Sequence, residues 1–361
     1  MNLLLITRKL DQNDDAASFV IGWVNEFSRQ LSKGKLFIIC QELGEIPSWG
    51  PTISVHSLGK EKGVGKLGQF FSFQKHLLCI IPKVDGVFAH MIQHYSIVAG
   101  PWCFLFKKPL YQWYMHKQVG FLLRLSAFFV DGFVTASLES FRLKTKKPVF
   151  VVGHGIDIGK FSPSRNLMRG DEASRRFLSV GRISPVKNIH MILEAASLLS
   201  SRNLSERISL EIIGGPGLPS QSWYLRKMQQ FVLERQLQRE IVFLGPLSNE
   251  RIIPHYQHAD VFINLSDTGS LDKVVLEAMA CGTLVLTSNE AFKDILPPIF
   301  FIDEKDPERI ATKMEGIVSM EKTKRQFFSK KFREFVVENH DLRHLIEKIL
   351  FLYEGRIPQK S

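Results

Sequence analysis

The chain has 361 residues, 45% of them apolar and 23% charged. This ordinary globular composition excludes a disordered chain, a disulfide-stapled miniprotein and a collagen-like fibre. Lys and Arg outnumber Asp and Glu by 47 to 36, a net charge of +11, of which residues 1–160 carry +8 and residues 161–361 only +3. A basic half of this kind suits nucleic acid, anionic lipid or a phosphorylated substrate, and it also serves plain solubility.

Short apolar runs predict strands at Leu3–Ile6, Leu36–Ile39, Ile53–His56, Val87–His90, Leu110–Trp113, Gly132–Thr135 and Val149–Val152 in the first half. The second half adds Phe177–Val180, Leu210–Ile213, Val242–Leu244, Val261–Asn264, Leu284–Thr287 and Ile299–Ile302. Leu3–Ile6 has no basic residue before it and reads as a strand, not as a signal peptide. Helical patterns such as Asn188–Leu199, Trp223–Arg235 and Lys273–Ala280 lie between the strands. Alternation of this kind builds parallel sheets with helices on both faces. Thirteen strands overfill one open sheet, so two doubly wound domains are expected, with the break in the polar stretch Ser162–Arg176. Domains at 1–162 and 163–335 follow, with a terminal helix in 336–361 packing back on the first.

No run reaches the ~20 apolar residues of a membrane span; Gly120–Val134 comes nearest and is interrupted by Arg124 and Asp131. Cys40, Cys79, Cys103 and Cys281 show no CxxC spacing. They read as buried free thiols in a cytosolic protein, and no metal site is expected.

In open parallel sheets ligands bind at the carboxyl ends of strands, where strand order reverses. Two segments fit that position. In "FLSVGRISPVKN" a strand ends at Val180, Gly181 permits a turn, and Arg182 and Lys187 flank the start of a helix. Cations beside a helix N-terminus suit phosphate, although a solvated pair at a turn is the alternative. In "NLSDTGSLDKVVLEAMACG" a loop with Gly269 and Ser270 offers backbone N–H groups, and Glu277 is a lone carboxylate inside an apolar helix that needs a hydrogen-bond partner. The loop "GGPGLPS", with Gly214, Gly215 and Gly217, lacks a dinucleotide fingerprint.

"VGRISPVKN", "IVFLGPLSNERIIPHYQHADVFINLS" and "LDKVVLEAMACGTLVLTSN", in this order, resemble the C-terminal domain of glycosyltransferase family 4, the group 1 glycosyl transferases. "LYQWYMHKQVGFLLRL" and "VVGHGIDIGKFSP" resemble that family's N-domain cleft segment and interdomain segment. The resemblance implies the GT-B fold, an α/β architecture of two Rossmann-like doubly wound domains facing a central cleft, with the acceptor on the first domain and a nucleotide-sugar donor on the second. It implies that Arg182 and Lys187, with Gly269 and Ser270, bind the donor diphosphate, that Glu277 binds the ribose, and that Phe243 and Leu244 meet the nucleobase. His116 would face the reacting sugar, a structural histidine near the cleft being the alternative; apart from the resemblance, His90 and His94 follow the strand Val87–His90 and could line the acceptor side, as could Asp11. The chain departs from the family where Gly269 replaces the first glutamate of the E-x7-E motif and Asn188 replaces a usual glycine; Asp272 and Lys273 are candidates for the lost sugar contacts. The family further implies retention at the anomeric carbon, no metal or other cofactor, and a glycan or lipid-linked acceptor in cell-surface polysaccharide or glycolipid synthesis. A catalytically inactive glycan-binding or scaffolding relative is the alternative.

The remaining basic half has two features. Asp11, Asp14 and Asp15 either position acceptor hydroxyls or form a solvated loop in which Asp15 caps the next helix. Gly65–Pro82 has apolar residues at helical spacing, with Lys60, Lys62, Lys66 and Lys75 nearby. It is either an ordinary core-facing helix or a contact for an anionic membrane surface. No nucleic-acid motif accompanies the charge, so nucleic acid is not expected as a partner.

Overall fold

The computed structural model describes residues 1–14, 17–164, 174–202 and 207–355. The chain divides into two units, Met1–Gly155 with His340–Ser361, and Ile156–Asn339. The predicted boundary at residue 162 therefore lies inside the second unit.

In the first unit, strands β1 (Leu3–Leu10), β2 (Leu36–Leu43), β3 (Ile53–Ser57), β4 (Gly86–His90), β5 (Leu110–Trp113), β6 (Gly132–Thr135) and β7 (Val149–Val151) form one sheet in the order β3-β2-β1-β4-β5-β6-β7. Every pairing is parallel. Parallel strands are covered on both faces, which is why β1 opens as an unbroken apolar run. One face holds α1 (Phe19–Gln30), which buries Val20, Val24 and Phe27 at helical spacing. The same core takes Leu342, Leu345, Ile346 and Ile349 of α11 (Leu342–Tyr353). The Tyr353 hydroxyl donates to the Val87 carbonyl oxygen (2.8 Å), fixing the end of α11 against β4. The other face is covered by α2 (Lys66–Ile80), α3 (Gln93–Leu105) and α4 (Phe121–Ser126).

In the second unit, β8 (Ser174–Val180), β9 (Arg207–Ile213), β10 (Ile241–Gly245), β11 (Val261–Asn264) and β12 (Leu284–Thr287) form a parallel sheet in the order β10-β9-β8-β11-β12. Around it lie α5 (Ile189–Ser201), α6 (Ser222–Glu234), α7 (Asn249–His258), α8 (Lys273–Ala280), α9 (Pro307–Val318) and α10 (Lys322–His340). α8 is buried over six of its eight residues, Glu277 among them.

Three expectations change. The thirteenth strand, Ile299–Ile302, is a 3-10 turn over Pro298–Phe300 followed by a single bridge from Phe301 to Thr287. Pro298 lacks the N–H a sheet ladder requires, while Phe300 and Ile302 are apolar because the core needs them. The break predicted at 162–176 lies outside the described residues over 165–173, and Ser174–Arg176 belongs to β8. Cys40, Cys103 and Cys281 are buried and free, whereas Cys79 is exposed because it sits on the outer face of α2. Burial pushes the three buried thiols up to about 12, so they stay protonated.

Candidate donor and acceptor sites

Each sheet reverses strand order once, between β1 and β4 and between β8 and β11. The candidate residues cluster at the carboxyl ends of those strands.

In the second unit, close backbone approach shapes the floor. Gly214 follows β9 at φ +140°, and a Cβ there would overlap the Gly181 carbonyl oxygen. Gly181 N–H donates to the Ile213 oxygen (2.9 Å), Gly214 N–H to the Gly245 oxygen (2.9 Å) and Ile183 N–H to the Gly215 oxygen (2.7 Å). The strand ends are thus laced together before the chain turns to Lys187. That residue closes a 3-10 turn, Pro185–Lys187, and Asn188 then adopts a left-handed conformation at φ +51°. Asn tolerates this region better than other side chains, which accounts physically for Asn at a position where the family uses Gly. Its Nδ2 donates to the Leu265 oxygen (2.9 Å) and to Asp267 (2.8 Å), tying the β8 turn to the β11 loop.

Lys187, Asp272, Lys273 and Glu277 meet around the start of α8. Lys187 Nζ donates to Ser266 Oγ (3.0 Å) and to the Asp272 carboxylate (3.2 and 3.3 Å). Both charged side chains are only 12% exposed. Thr268 Oγ1 also donates to Asp272 (3.1 Å). Lys273 Nζ lies 3.0 Å from Glu277 Oε1, and the buried Tyr256 hydroxyl donates to Glu277 Oε2 (3.1 Å). Burial, and then the negative charge of Glu277, push the Tyr256 hydroxyl well above its ordinary range, so it remains a neutral donor. Gly269 stands at φ +60°, in the left-handed region, and Ser270 is held by its carbonyl oxygen, which accepts from Asn289 Nδ2 (2.8 Å). Arg182 is exposed and makes no hydrogen bond or ion pair among the described residues; its side chain runs past Gly217. Phe243 and Leu244 sit on the edge strand β10, where Phe243 packs on the core and Leu244 is partly exposed. Tyr256, Ser266 and Asn289 were not singled out from the sequence.

In the first unit, a cavity of about 460 Å³ lies at the ends of β1, β4 and β5. His90 and His116 both line it, and His94 and Asp11 do not. His90 is buried, with Nδ1 3.3 Å from Thr7 Oγ1 and its ring against Trp23. Burial drives its pKa down to about 3, so the ring is neutral. His116 is exposed, and its Nδ1 accepts from the Gln118 N–H (3.1 Å). His94 is exposed in the first turn of α3. Asp11 and Asp14 pair with Lys9, and Asp14 also accepts from the Ala17 N–H (2.7 Å). Asp15 lies outside the described residues. Among the described residues there is no cluster of His, Cys, Asp and Glu arranged to hold a metal ion.

Residues 168–335 match the family glycosyl transferases group 1. The second unit resembles that family over almost its whole length. The chain is 29% identical over 184 residues to the D-inositol 3-phosphate glycosyltransferase of Geodermatophilus obscurus, covering 47% of this chain and 40% of that protein. It is 34% identical over 155 residues to the protein of the same name from Corynebacterium urealyticum, covering 40% and 35%. The matches thus span well under half the length of these relatives. Among solved structures, Anabaena HepE in complex with UDP superposes with a TM-score of 0.74 at 15% identity, covering 98% of this chain and 100% of that one. A glycosyltransferase from Rickettsia africae gives 0.73 at 16% identity, covering 100% and 99%. The chain has the GT-B fold of these proteins.

Proposed function

We propose that this protein is a glycosyltransferase that takes a nucleotide-sugar donor in its second unit. What supports the reading is that Arg182 and Lys187 line one pocket after β8, and that Lys187 pairs with Asp272 at the start of α8, beside the strand-order reversal and within the matched segment. Arg182 and Lys187 would stabilise the diphosphate as charge develops on the leaving group. Glu277, fixed by Lys273 and Tyr256, would present carboxylate lone pairs to the ribose. Lys273 and Asp272 would reach the donor sugar once released from their partners. The acceptor, a glycan or lipid-linked sugar, would occupy the first unit's cavity with His116 at the reacting centre. Retention, independence from a metal and a place in cell-surface polysaccharide or glycolipid synthesis belong to the same proposal. Calorimetric titration with UDP-sugars tests it on wild type, Arg182→Ala and Glu277→Gln. Weakened binding in both is expected, and unchanged affinity in both would overturn the assignment.

Gly269 favours a second reading, an inactive glycan-binding relative. Its left-handed backbone suits glycine, so the loop conformation itself disfavours the missing glutamate. Turnover with any donor, lost in His116→Ala, would exclude it.

An anionic membrane surface is proposed as a partner. Leu67 and Phe71 on α2, Phe104 at the end of α3, and Phe121 and Phe128 at α4 are all largely exposed. Between Lys66 and Val130 seven Lys or Arg accompany one acid, Asp85. Apolar side chains amid cations suit an interface that is both greasy and negative. No described helix is long and apolar enough to cross a membrane. Flotation that does not depend on anionic lipid would refute the electrostatic part.

A further inference from the structure

The cavity of the first unit has a charge pattern that its proposed role leaves unexplained. Among the described residues no Asp or Glu lines it, while Arg8, Lys9, His90 and His116 do. The two cations are not equivalent. Lys9 is neutralised three times over, by Asp11 (3.2 Å), Asp14 (2.6 Å) and Glu42 (3.3 Å). Arg8 makes no hydrogen bond or ion pair among the described residues, and it is the one exposed position of β1. Arg8 stands where β1 has run past its pairing with β4 (Leu3–Ile6), so its guanidinium is exposed at the cavity and available to a ligand.

The rest of the wall fits a polyol-sized ligand. The volume falls in the range of small-molecule sites. Gln93, His116 and Gln118 supply polar contacts, and Met91, Ile92 and Met115 supply apolar ones. Met91 holds φ +70°, a left-handed conformation uncommon for a side chain of this kind, while its N–H donates to the Trp113 oxygen (3.0 Å). Backbone of this type concentrates at binding sites.

We propose that Arg8 is a specificity determinant that binds a phosphate or carboxylate on the ligand of this cavity, so that the acceptor is an anionic polyol. A guanidinium offers two parallel N–H donors that match an oxyanion, and the nearest described carboxylates, Asp11, Asp14 and Glu42, are engaged by Lys9 rather than by Arg8. The word acceptor rests on the glycosyltransferase reading; the oxyanion site does not.

The test titrates the full chain with glucose, glucose 6-phosphate and glucuronate, using wild type, Arg8→Gln and Arg8→Lys. The anionic sugars should bind wild type at least about tenfold more tightly than glucose, the scale of a charge-assisted pair. Arg8→Gln should abolish that preference, and Arg8→Lys should keep part of it as a point charge. Equal binding of neutral and anionic sugars, or a preference that survives in Arg8→Gln with an unchanged melting temperature, would overturn the proposal. A second arm uses phosphatidylcholine vesicles doped with phosphatidic acid. If Arg8→Gln weakens vesicle binding, the oxyanion is lipid-borne; if it weakens only sugar phosphate binding, the oxyanion is soluble. Either result supports the site. UDP binding is measured on the same samples. Failure of wild type to bind UDP counts against the donor reading alone, because Arg8 belongs to the first unit.

Discussion

Replacing Asp272 with Asn removes one charge from the second unit's site and preserves its shape. Lys187 then keeps a hydrogen-bond acceptor but loses a counter-ion at 3.2 Å. The Lys187 ammonium stays charged and keeps hydrogen bonds to Ser266 Oγ and to the new amide oxygen, so only the ion–ion part of the contact is lost, about 1–1.5 kcal/mol. In a domain of this size that lowers Tm by about 2–6 °C. Lys187→Met is a different perturbation. It strands the Asp272 carboxylate, 12% exposed, with no cation, and such losses run to about 3–5 kcal/mol. The double replacement Lys187→Met with Asp272→Leu removes both charges and should recover much of that loss. The ligand effects run the other way. A diphosphate must compete with Asp272 for Lys187, so Asp272→Asn should tighten UDP binding by about fivefold to tenfold, or about 1–1.4 kcal/mol. Lys187→Met should weaken it. Thermal unfolding and calorimetric titration at one ionic strength measure both quantities. The reasoning fails if Asp272→Asn is as destabilising as Lys187→Met, or if UDP affinity falls in Asp272→Asn.

Tyr256→Phe deletes the buried donor to Glu277 and should cost about 1–3 kcal/mol in denaturant unfolding, a loss that Glu277→Gln in the same background should not repeat in full. Gly214→Ala places a Cβ on the Gly181 carbonyl oxygen and should destabilise the second unit by more than about 3 kcal/mol; a soluble variant with wild-type Tm would refute the close approach. Burial lowers the pKa of His90 to about 3 and of His340 to about 4. The unfolded chain takes up protons below the ordinary value of about 6.5 that the folded histidines refuse, so stability is full above that pH and falls on acidification. Each histidine adds up to about 1.4 kcal/mol per pH unit until its folded pKa is reached. His90→Gln should flatten the acid limb of urea unfolding by one proton, and an unchanged limb would refute its burial as a neutral ring.

Much of this architecture is visible in the amino-acid pattern because parallel strands covered on both faces must be apolar. Leu110–Trp113, Gly132–Thr135, Val261–Asn264 and Leu284–Thr287 coincide with strands to the residue. Ile299–Ile302 is equally apolar but follows two prolines, and core packing alone explains its composition. The site divides along similar lines. Local motif spacing singles out Lys187 and Glu277. It does not disclose that Lys187 is held by Asp272, 85 residues away, nor that Tyr256 from α7 reaches Glu277 on α8. Such partners come from separate elements that only tertiary packing brings together. Arg8 carried a readable sign, a cation inside the strand "LLLITRKL", but its neighbour Lys9 carries the same sign and is fully paired.

That difference in pairing sets how each site should respond to salt. Arg8 is exposed with no counter-ion among the described residues, whereas Lys187 is 12% exposed and already paired. Exposed charges are screened over about 10 Å at 0.1 M salt, while buried pairs are screened much less. Raising ionic strength should therefore weaken sugar phosphate binding through Arg8 more steeply than the part of UDP binding carried by Lys187, which Arg182→Ala isolates by removing the exposed cation of the second unit. Salt also loosens the Lys187–Asp272 pair that a diphosphate must displace, which offsets part of the loss in the second unit. Titrations of both ligands across one salt series compare the two slopes. A steeper slope for UDP in Arg182→Ala than for glucose 6-phosphate in wild type would contradict the buried, pre-paired state of Lys187 and the open state of Arg8.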